Sequence, residues 1–167
     1  MGKVQDIFGN GTPGAVSRSV DDIVISVRNN ASADVPFGAP VFLDSNGGAV
    51  PFDISDPQEF AAFLGFAVRV ADKTPGTYPQ GQFEDPQAGA WHPGDVMEVL
   101  VRGGIAILLE AAGVRGDAVY IRKADGRIVT APGTAGTSIL LENVRIRNPR
   151  TGRTSCCEAV VNKRNII

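Results

Sequence analysis

The chain has 167 residues, of which 43% are hydrophobic and 20% charged, and its formal net charge is −2. This composition suits one folded domain with a real core and argues against disorder. The single histidine excludes a multi-histidine metal site, and no apolar run reaches the ~18 residues of a membrane helix. We therefore expect a soluble protein made in the cytoplasm, with no membrane partner and no direct nucleic-acid partner. The 20 glycines and 11 prolines, without a collagen-like repeat, favour many turns and short strands.

Charge is divided unevenly along the chain. Residues 1–100 hold 5 basic and 13 acidic side chains, whereas residues 101–167 hold 11 basic and 5 acidic ones. The acidic and basic parts can meet within one subunit or between neighbouring subunits of an assembly. The pattern alone leaves both alternatives open.

Residues 1–20 are polar and glycine-rich, and they are predicted to form an extended N-terminal arm before a single β-rich domain over residues 21–167. The arm is either a frayed terminus or a segment that becomes ordered against a partner. Gly9, Gly11 and Gly14 match the spacing of a dinucleotide-binding motif. They follow no predicted strand and open no helix, so we attribute the match to chance.

The first part of the domain contains strand patterns. Ile23–Arg28 alternates apolar and polar residues, which predicts a half-buried strand. Pro40–Leu43 and Ala49–Asp53 flank a turn of Asp, Ser, Asn and two Gly, which predicts a hairpin.

A short helix is predicted to begin at Asp56, whose carboxylate can cap it. Phe60 and Phe63 lie one turn apart on that helix and would plug one end of the domain. Phe66–Val70 is predicted to be the next strand.

Residues 72–94 are rich in proline and glycine and have no periodicity, which predicts a long loop. The loop holds Tyr78, Phe83 and Trp91. Aromatic side chains in such a loop are typical interface anchors, and the alternative is that they fold back onto the core of their own domain.

The central stretch, Pro93 to Val129, is predicted to be a β-meander. Its predicted strands are Val96–Arg102, Ile105–Leu109, Ala118–Lys123 and Arg127–Val129, with turns at the Gly-Gly, Gly-Asp and Asp-Gly pairs between them.

The last strands are predicted over Ile139–Arg147, the longest one, and Cys157–Asn162. In the longer strand, Leu140, Val144 and Ile146 would share one face, and Arg145 and Arg147 the other. These arginines, with Arg150 and Arg153, form either a solvated face or a contact for an acidic partner. Together the patterns indicate an all-β fold: a small β-barrel or sandwich of short antiparallel strands, with one short helix and the N-terminal arm.

Catalytic and metal-binding motifs are few. His92 stands between Trp91 and Pro93 with Asp95 nearby, but no nucleophile elbow accompanies it. Cys156 and Cys157 are adjacent, so a bond between them would be strained, and we expect reduced thiols. No metal, cofactor or catalytic set is predicted, and we expect a protein that is not an enzyme.

Several strings of the sequence resemble tailed-bacteriophage structural cement proteins, also called capsid decoration proteins. They are GFAVRVADKTPGTY (65–78), PGDVMEVLVRGGIAI (93–107), GDAVYIRKADGRIV (116–129) and ENVRIRNPRTG (142–152). The resemblance implies a small β-rich virion protein, made in the host cytoplasm, that binds the major capsid protein on the outer face of the capsid. It also implies a homotrimer that ties capsid subunits together.

The expected contacts fall on the arm, the aromatic loop and the arginine strand. The residues are Phe8, Arg18, Tyr78, Phe83, Trp91, Arg145 and Arg147. The same aromatic loop also allows a second hypothesis, a carbohydrate- or receptor-binding β module displayed on the virion. A third hypothesis is a small hydrolase that uses His92.

Overall fold

The computed structural model describes residues 11–17, 21–53, 62–71, 89–110, 113–149 and 156–165. Within these ranges the regular structure is β-strand, which confirms the predicted all-β class. The strands are β1 (Ile23–Arg28), β2 (Val35–Pro36), β3 (Pro40–Leu43), β4 (Ala49–Pro51), β5 (Ala62–Ala67), β6 (Ala90–Trp91), β7 (Val96–Leu108), β8 (Ala118–Arg122), β9 (Ile128–Val129), β10 (Ser138–Asn148) and β11 (Cys156–Val161).

Most of these strands form one antiparallel sheet that curls into a half-barrel. The strand order is β4-β3-β5-β7-β11-β10-β8-β9, and β1 also pairs with β7. Strands β2 and β6 form a separate two-stranded sheet. The predicted β3–β4 hairpin is confirmed, and its turn is held by Asp44, whose Oδ1 accepts hydrogen bonds from the backbone N–H groups of Asn46 (3.0 Å) and Gly48 (2.7 Å).

The longest strand is β7, and it runs straight through the Gly103-Gly104 pair that was predicted to be a turn. A Cβ atom on Gly103, at φ +120°, would overlap the Asp22 carboxylate, and one on Gly104 would overlap Ser17 Oγ. The glycines therefore allow the N-terminal segment to lie close against the strand. The prediction of two separate strands was wrong because a glycine pair is equally suited to a turn and to a close approach.

The sheet buries side chains on both of its faces. Phe42, Phe66 and Leu100 belong to the cluster inside the half-barrel, together with Ile105 and Ile107 from the second half of β7. The opposite face of β3, β5 and β7 is covered by the β2–β6 pair and forms a second cluster, with Val35, Phe37, Val41, Leu64, Trp91, Met97, Val99 and Val101. Met97, Val99 and Val101 are thus buried on one face of β7, and Leu100 is buried on the other.

Phe63 lies on a strand rather than on the predicted helix, because β5 begins at Ala62. Its ring packs edge-to-face against Phe42, with 5.9 Å between centroids, and against Phe66, at 5.3 Å. Phe63 therefore fills the interior of the half-barrel. The remainder of the predicted helix, from Asp56 to Phe60, lies outside the described residues.

Trp91 belongs to the core, where it is 4% exposed. Its indole Nε1 donates a hydrogen bond to the Val68 carbonyl oxygen at 2.9 Å, and its ring meets Phe37 edge-to-face at 6.2 Å. Of the two alternatives for this side chain, the structure shows the one in which it packs onto its own domain. Within the predicted loop over 72–94, Ala90–Trp91 form the short strand β6 and a turn follows it, whereas residues 72–88 lie outside the described ranges.

Hydrogen bonds from Asn29, a buried polar residue that is 1% exposed, stabilise the turn after β6. Its Nδ2 donates to the carbonyl oxygens of Trp91 (3.2 Å) and His92 (3.0 Å), and its Oδ1 accepts from Ala31 N at 3.0 Å. Both polar atoms of the Asn29 side chain therefore have hydrogen-bond partners, as buried polar groups in folded proteins generally do.

Strand β10 contains a bulge that changes which side chains face inward. Asn143 has φ +63°, and the register against β8 skips from Leu140 to Arg145. The alternation therefore shifts, so that Leu141 is buried and Leu140 is 46% exposed. The prediction that Leu140 shares a face with Val144 and Ile146 was wrong for this reason, because Val144 and Ile146 are buried and Leu140 is exposed.

Part of the predicted arm is attached to the domain. Gly14 N donates to the Ala106 oxygen at 2.8 Å, and Gly14 O accepts from Arg69 N at 2.8 Å. Ala106 N also donates to the Ala15 oxygen at 2.9 Å, and Ser17 N to the Gly104 oxygen at 2.8 Å. Residues 14–17 thus join the end of β5 to the second half of β7. Residues 1–10 and 18–20 lie outside the described ranges.

We predict that Gly14→Ala destabilises the domain more than Gly47→Ala. Both glycines have φ near +80°, so both variants incur the cost of a left-handed residue, about 1 kcal/mol. A Cβ on Gly14 would also lie 2.9 Å from Gly38 N and from Arg69 N, whereas nothing lies within 4 Å at Gly47. Crowding should add about 1–3 kcal/mol at Gly14. Urea unfolding of both variants measures the difference, and equal losses would contradict the close approach.

Candidate interaction surface

The outer face of β10 presents arginine side chains to solvent. Arg145 lies opposite Ala118 of β8 and Val160 of β11, so short apolar side chains flank it on both sides. Arg145 is exposed and, within the described part of the chain, takes part in no ion pair. Such a cation is available to a carboxylate of another molecule.

Arg147 and Arg115 extend this cationic face. Arg147 Nη1 lies 3.6 Å from Glu158 Oε1, and Arg115 Nε donates to the Arg147 carbonyl oxygen at 2.9 Å. The backbone pairs Gly116 N to Ile146 O (2.8 Å) and Ile146 N to Asp117 O (3.0 Å) hold the Arg115 turn against β10. We call Arg115, Arg145 and Arg147 the β10 basic surface. Arg115 was not predicted from the sequence, because only the fold brings its turn beside the strand.

A second charged cluster is neutralised from within. Arg122 contacts Glu110 at 2.6 Å and also contacts Asp125, and Arg127 contacts Glu110 at 3.0 Å and Asp125 at 3.6 Å. The hydrogen bonds from Arg122 lower the pKa of Asp125 to about 2, and they also lower the pKa of Glu110. Two arginines and two carboxylates close this ion-pair ring with no net charge. It is therefore a weaker target for an acidic partner than the β10 basic surface.

The structure brings together two of the residues predicted for a partner contact, Arg145 and Arg147. Trp91 is in the core and does not lie on this surface. Phe8, Arg18, Tyr78 and Phe83 lie outside the described residues, so their predicted contacts stay predictions.

His92 sits in an exposed turn, where its Nδ1 lies 2.8 Å from Asp34 Oδ1. Asp95, which the hydrolase hypothesis placed beside it, instead accepts a hydrogen bond from the His92 backbone N–H at 2.8 Å. The His92–Asp95 bond closes the turn, and the His92 ring nitrogen lies beside Asp34.

Cys156 and Cys157 are buried on β11 and form no disulfide. Burial raises the pKa of Cys157 to about 12, so its thiol stays protonated at neutral pH and is a poor nucleophile. Among the described residues, no group of three or more His, Cys, Asp or Glu side chains is placed to hold a metal ion. The same ranges contain no helix long and apolar enough to cross a membrane.

Two comparisons relate this chain to known phage proteins. The model of the structural cement protein family (E217 gp24/Pam3 gp6) matches residues 2–160, and the chain belongs to that family. A chain in the solved capsid of Myoviridae phage XM1 has the same fold, with a TM-score of 0.68 and 17% sequence identity. The alignment covers 92% of this chain and 91% of that one. No curated protein matches the sequence.

We predict that the ion-pair ring stabilises the fold at neutral pH and that this contribution is lost in acid. The folded-state pKa of Asp125 is depressed, so its contribution is present above the ordinary pKa of 3.8 and disappears as the pH falls towards about 2. Arg122→Gln should therefore lower Tm at pH 7, and the difference from the unmodified protein should shrink over that pH window. Differential scanning calorimetry measures both values.

Arg145→Gln is the matched control for this experiment. It removes the same charge from an exposed site that forms no ion pair with another described residue. Its Tm difference should be small and nearly independent of pH. A difference for Arg122→Gln that is equally large at both ends of the window would contradict the assigned role of the ring.

Proposed function

We propose that the protein binds the outer surface of a phage capsid and stabilises contacts between major capsid protein subunits. Membership of the structural cement family, over residues 2–160, is the observation that carries this proposal. The shared fold with a chain of a phage capsid supports it as well. The family is a structural one, and the protein is proposed to act by binding rather than by catalysis.

The β10 basic surface is the proposed contact with acidic side chains of the capsid protein. Arg145 is exposed and unpaired among the described residues, whereas the arginines of the ion-pair ring already have carboxylate partners. Charges at the edge of an interface accelerate association and fix orientation, although each contributes little affinity. Several weak contacts made by one molecule or by one linked oligomer reinforce each other, because after the first contact the others form at high effective concentration.

A homotrimer is part of the proposal and rests on the resemblance to cement proteins. Sedimentation-velocity ultracentrifugation of the purified chain tests it directly. The glycan- or receptor-binding alternative depended on the aromatic loop. Trp91 is buried and cannot serve there as a stacking platform, so no observation on the described residues favours that alternative.

We predict that Arg145→Glu weakens binding to capsid shells that lack this protein. Reversal of an exposed charge opposite a carboxylate should lower the affinity by about tenfold at low salt, and the effect should fade as salt screens the contact. Co-sedimentation with shells across a salt series measures both. Arg147→Gln should have a smaller effect in the same direction, because Arg147 also lies beside Glu158.

Arg28→Glu provides the control, because it makes the same change in net charge at an exposed position of β1, in the other half of the sheet. It should bind shells like the unmodified protein. Equal weakening by Arg145→Glu and Arg28→Glu would mean that only net charge matters. Absence of saturable binding by the unmodified protein would overturn the proposal itself.

We also predict that removal of residues 1–10 weakens shell binding while the domain stays folded. The deletion spares residues 14–17, which carry the backbone hydrogen bonds to Arg69, Gly104 and Ala106. Circular dichroism and thermal unfolding should match the full chain, whereas occupancy on shells should fall. Removal of residues 1–20 is expected to destabilise the domain as well, and unchanged occupancy after the shorter deletion would contradict a binding role for Phe8.

A further inference from the structure

One end of the half-barrel holds a pocket of about 510 Å³ between β5, β10 and the segment after β11. Phe63, Ile139 and Leu140 supply its apolar wall. Leu140 is 46% exposed, because the bulge at Asn143 turns it away from the core. A volume of this size accommodates one or two side chains of a bound peptide.

The rim of this mouth pocket is cationic. Lys163 and Arg164 line it and are exposed, and neither forms an ion pair with another described residue. Glu142 is the acidic side chain on the rim, and it belongs to β10, whereas both cations follow β11. An anionic occupant is therefore attracted to the Lys163–Arg164 side and repelled from the Glu142 side, which gives the pocket a polarity.

Side-chain hydrogen bonds fix the shape of the pocket before any ligand arrives. Asn143 Nδ2 donates to Asn165 Oδ1 at 2.6 Å, and Asn165 Nδ2 donates to the Phe63 carbonyl oxygen at 2.9 Å. Asn162 N donates to the Asn143 carbonyl oxygen at 2.9 Å. The bulge, the segment after β11 and β5 are thus tied to one another, and a preformed site loses less entropy on binding.

The β10 backbone at the pocket pairs with β8 through Ser138–Leu140, but its pairing with β11 begins only at Val144. The register between β8 and β10 breaks between Leu140 and Arg145. An extended peptide can approach this stretch as an added strand, with one side chain against Leu140. Backbone pairing of this kind supplies affinity, and pockets for side chains supply specificity.

We propose that the mouth pocket binds an extended acidic peptide segment of another protein, with one large apolar side chain against Leu140 and Phe63 and a carboxylate at Lys163 and Arg164. The apolar wall favours a large apolar side chain of the peptide, and the unpaired cations favour a carboxylate next to it. This site is separate from the β10 basic surface, and it does not depend on the capsid being the partner.

The test is a titration of the full chain with a synthetic peptide, followed by NMR of ¹⁵N-labelled protein. The probe is an acetylated, amidated hexapeptide in which glutamates flank a single phenylalanine. Saturable shifts are expected for the amides of residues 62–63, 139–143 and 162–165. A second peptide, with glutamine in place of each glutamate, should bind at least about tenfold more weakly if charge contributes as proposed.

Two protein variants separate the contributions of charge and apolar contact. Arg164→Glu should weaken the acidic peptide by about tenfold, and Arg28→Glu, the same charge change on β1, should leave it unchanged. Leu140→Ser alters an exposed side chain, so the fold should survive, and affinity for the phenylalanine peptide should fall about tenfold. Thermal unfolding confirms that each variant is folded.

Several results would overturn the proposal. They are shifts scattered over the whole surface, equal binding of the acidic and amide peptides, or an Arg164→Glu variant that binds like the unmodified protein. Saturation of the same amides by a neutral oligosaccharide but not by the peptide would also overturn it. The titration contains no capsid shells, so its failure is independent of the outcome of the co-sedimentation experiment.

Discussion

Strand β7 is the element on which the rest of this fold depends. Its 13 residues pair with β1 and β5 in the first half of the strand and with β11 in the second half. Side chains from both of its faces enter separate hydrophobic clusters, one inside the half-barrel and one beneath β2 and β6. A single long strand therefore couples two cores. The continuity of the strand depends on Gly103 and Gly104, where side chains of Ser17 and Asp22 occupy the space that Cβ atoms would need.

Some cations of this protein are paired with carboxylates of the same chain, and others are exposed without such a partner among the described residues. The first kind stabilises the fold, and the second kind is available to other molecules. Around Glu110 and Asp125, two arginines satisfy two carboxylates, and the lowered pKa values of both acids report that pairing. Arg145, Lys163 and Arg164 have no such partners among the described residues. Basic residues from the last part of the sequence are thus exposed on β10 and after β11, where other molecules can reach them.

Much of the fold could be predicted from local sequence patterns, and the wrong predictions share one cause. Turn residues and alternation correctly indicated β1, the β3–β4 hairpin, the β8–β9 turn and β11. The errors at Gly103-Gly104 and at Leu140 arose where a tertiary contact or a bulge overrides the local pattern. Trp91 was ambiguous because its burial depends on Phe37 and Val68, which are distant in sequence. For the candidate site, the sequence indicated Arg145 and Arg147 but not Arg115 or the mouth pocket, since only the folded chain juxtaposes those residues.

The bridge made by Asn165 has a mechanical consequence. By bonding to Asn143 on β10 and to the Phe63 carbonyl on β5, it links strands that are not neighbours in the sheet. A load applied to β10 therefore passes directly to β5 as well as through β11 and β7. When two paired strands are pulled apart from one end, their backbone hydrogen bonds break one after another. At this end of the half-barrel, β10 and β5 therefore separate only after one of the two Asn165 bonds has broken in addition to the backbone pairs between the strands.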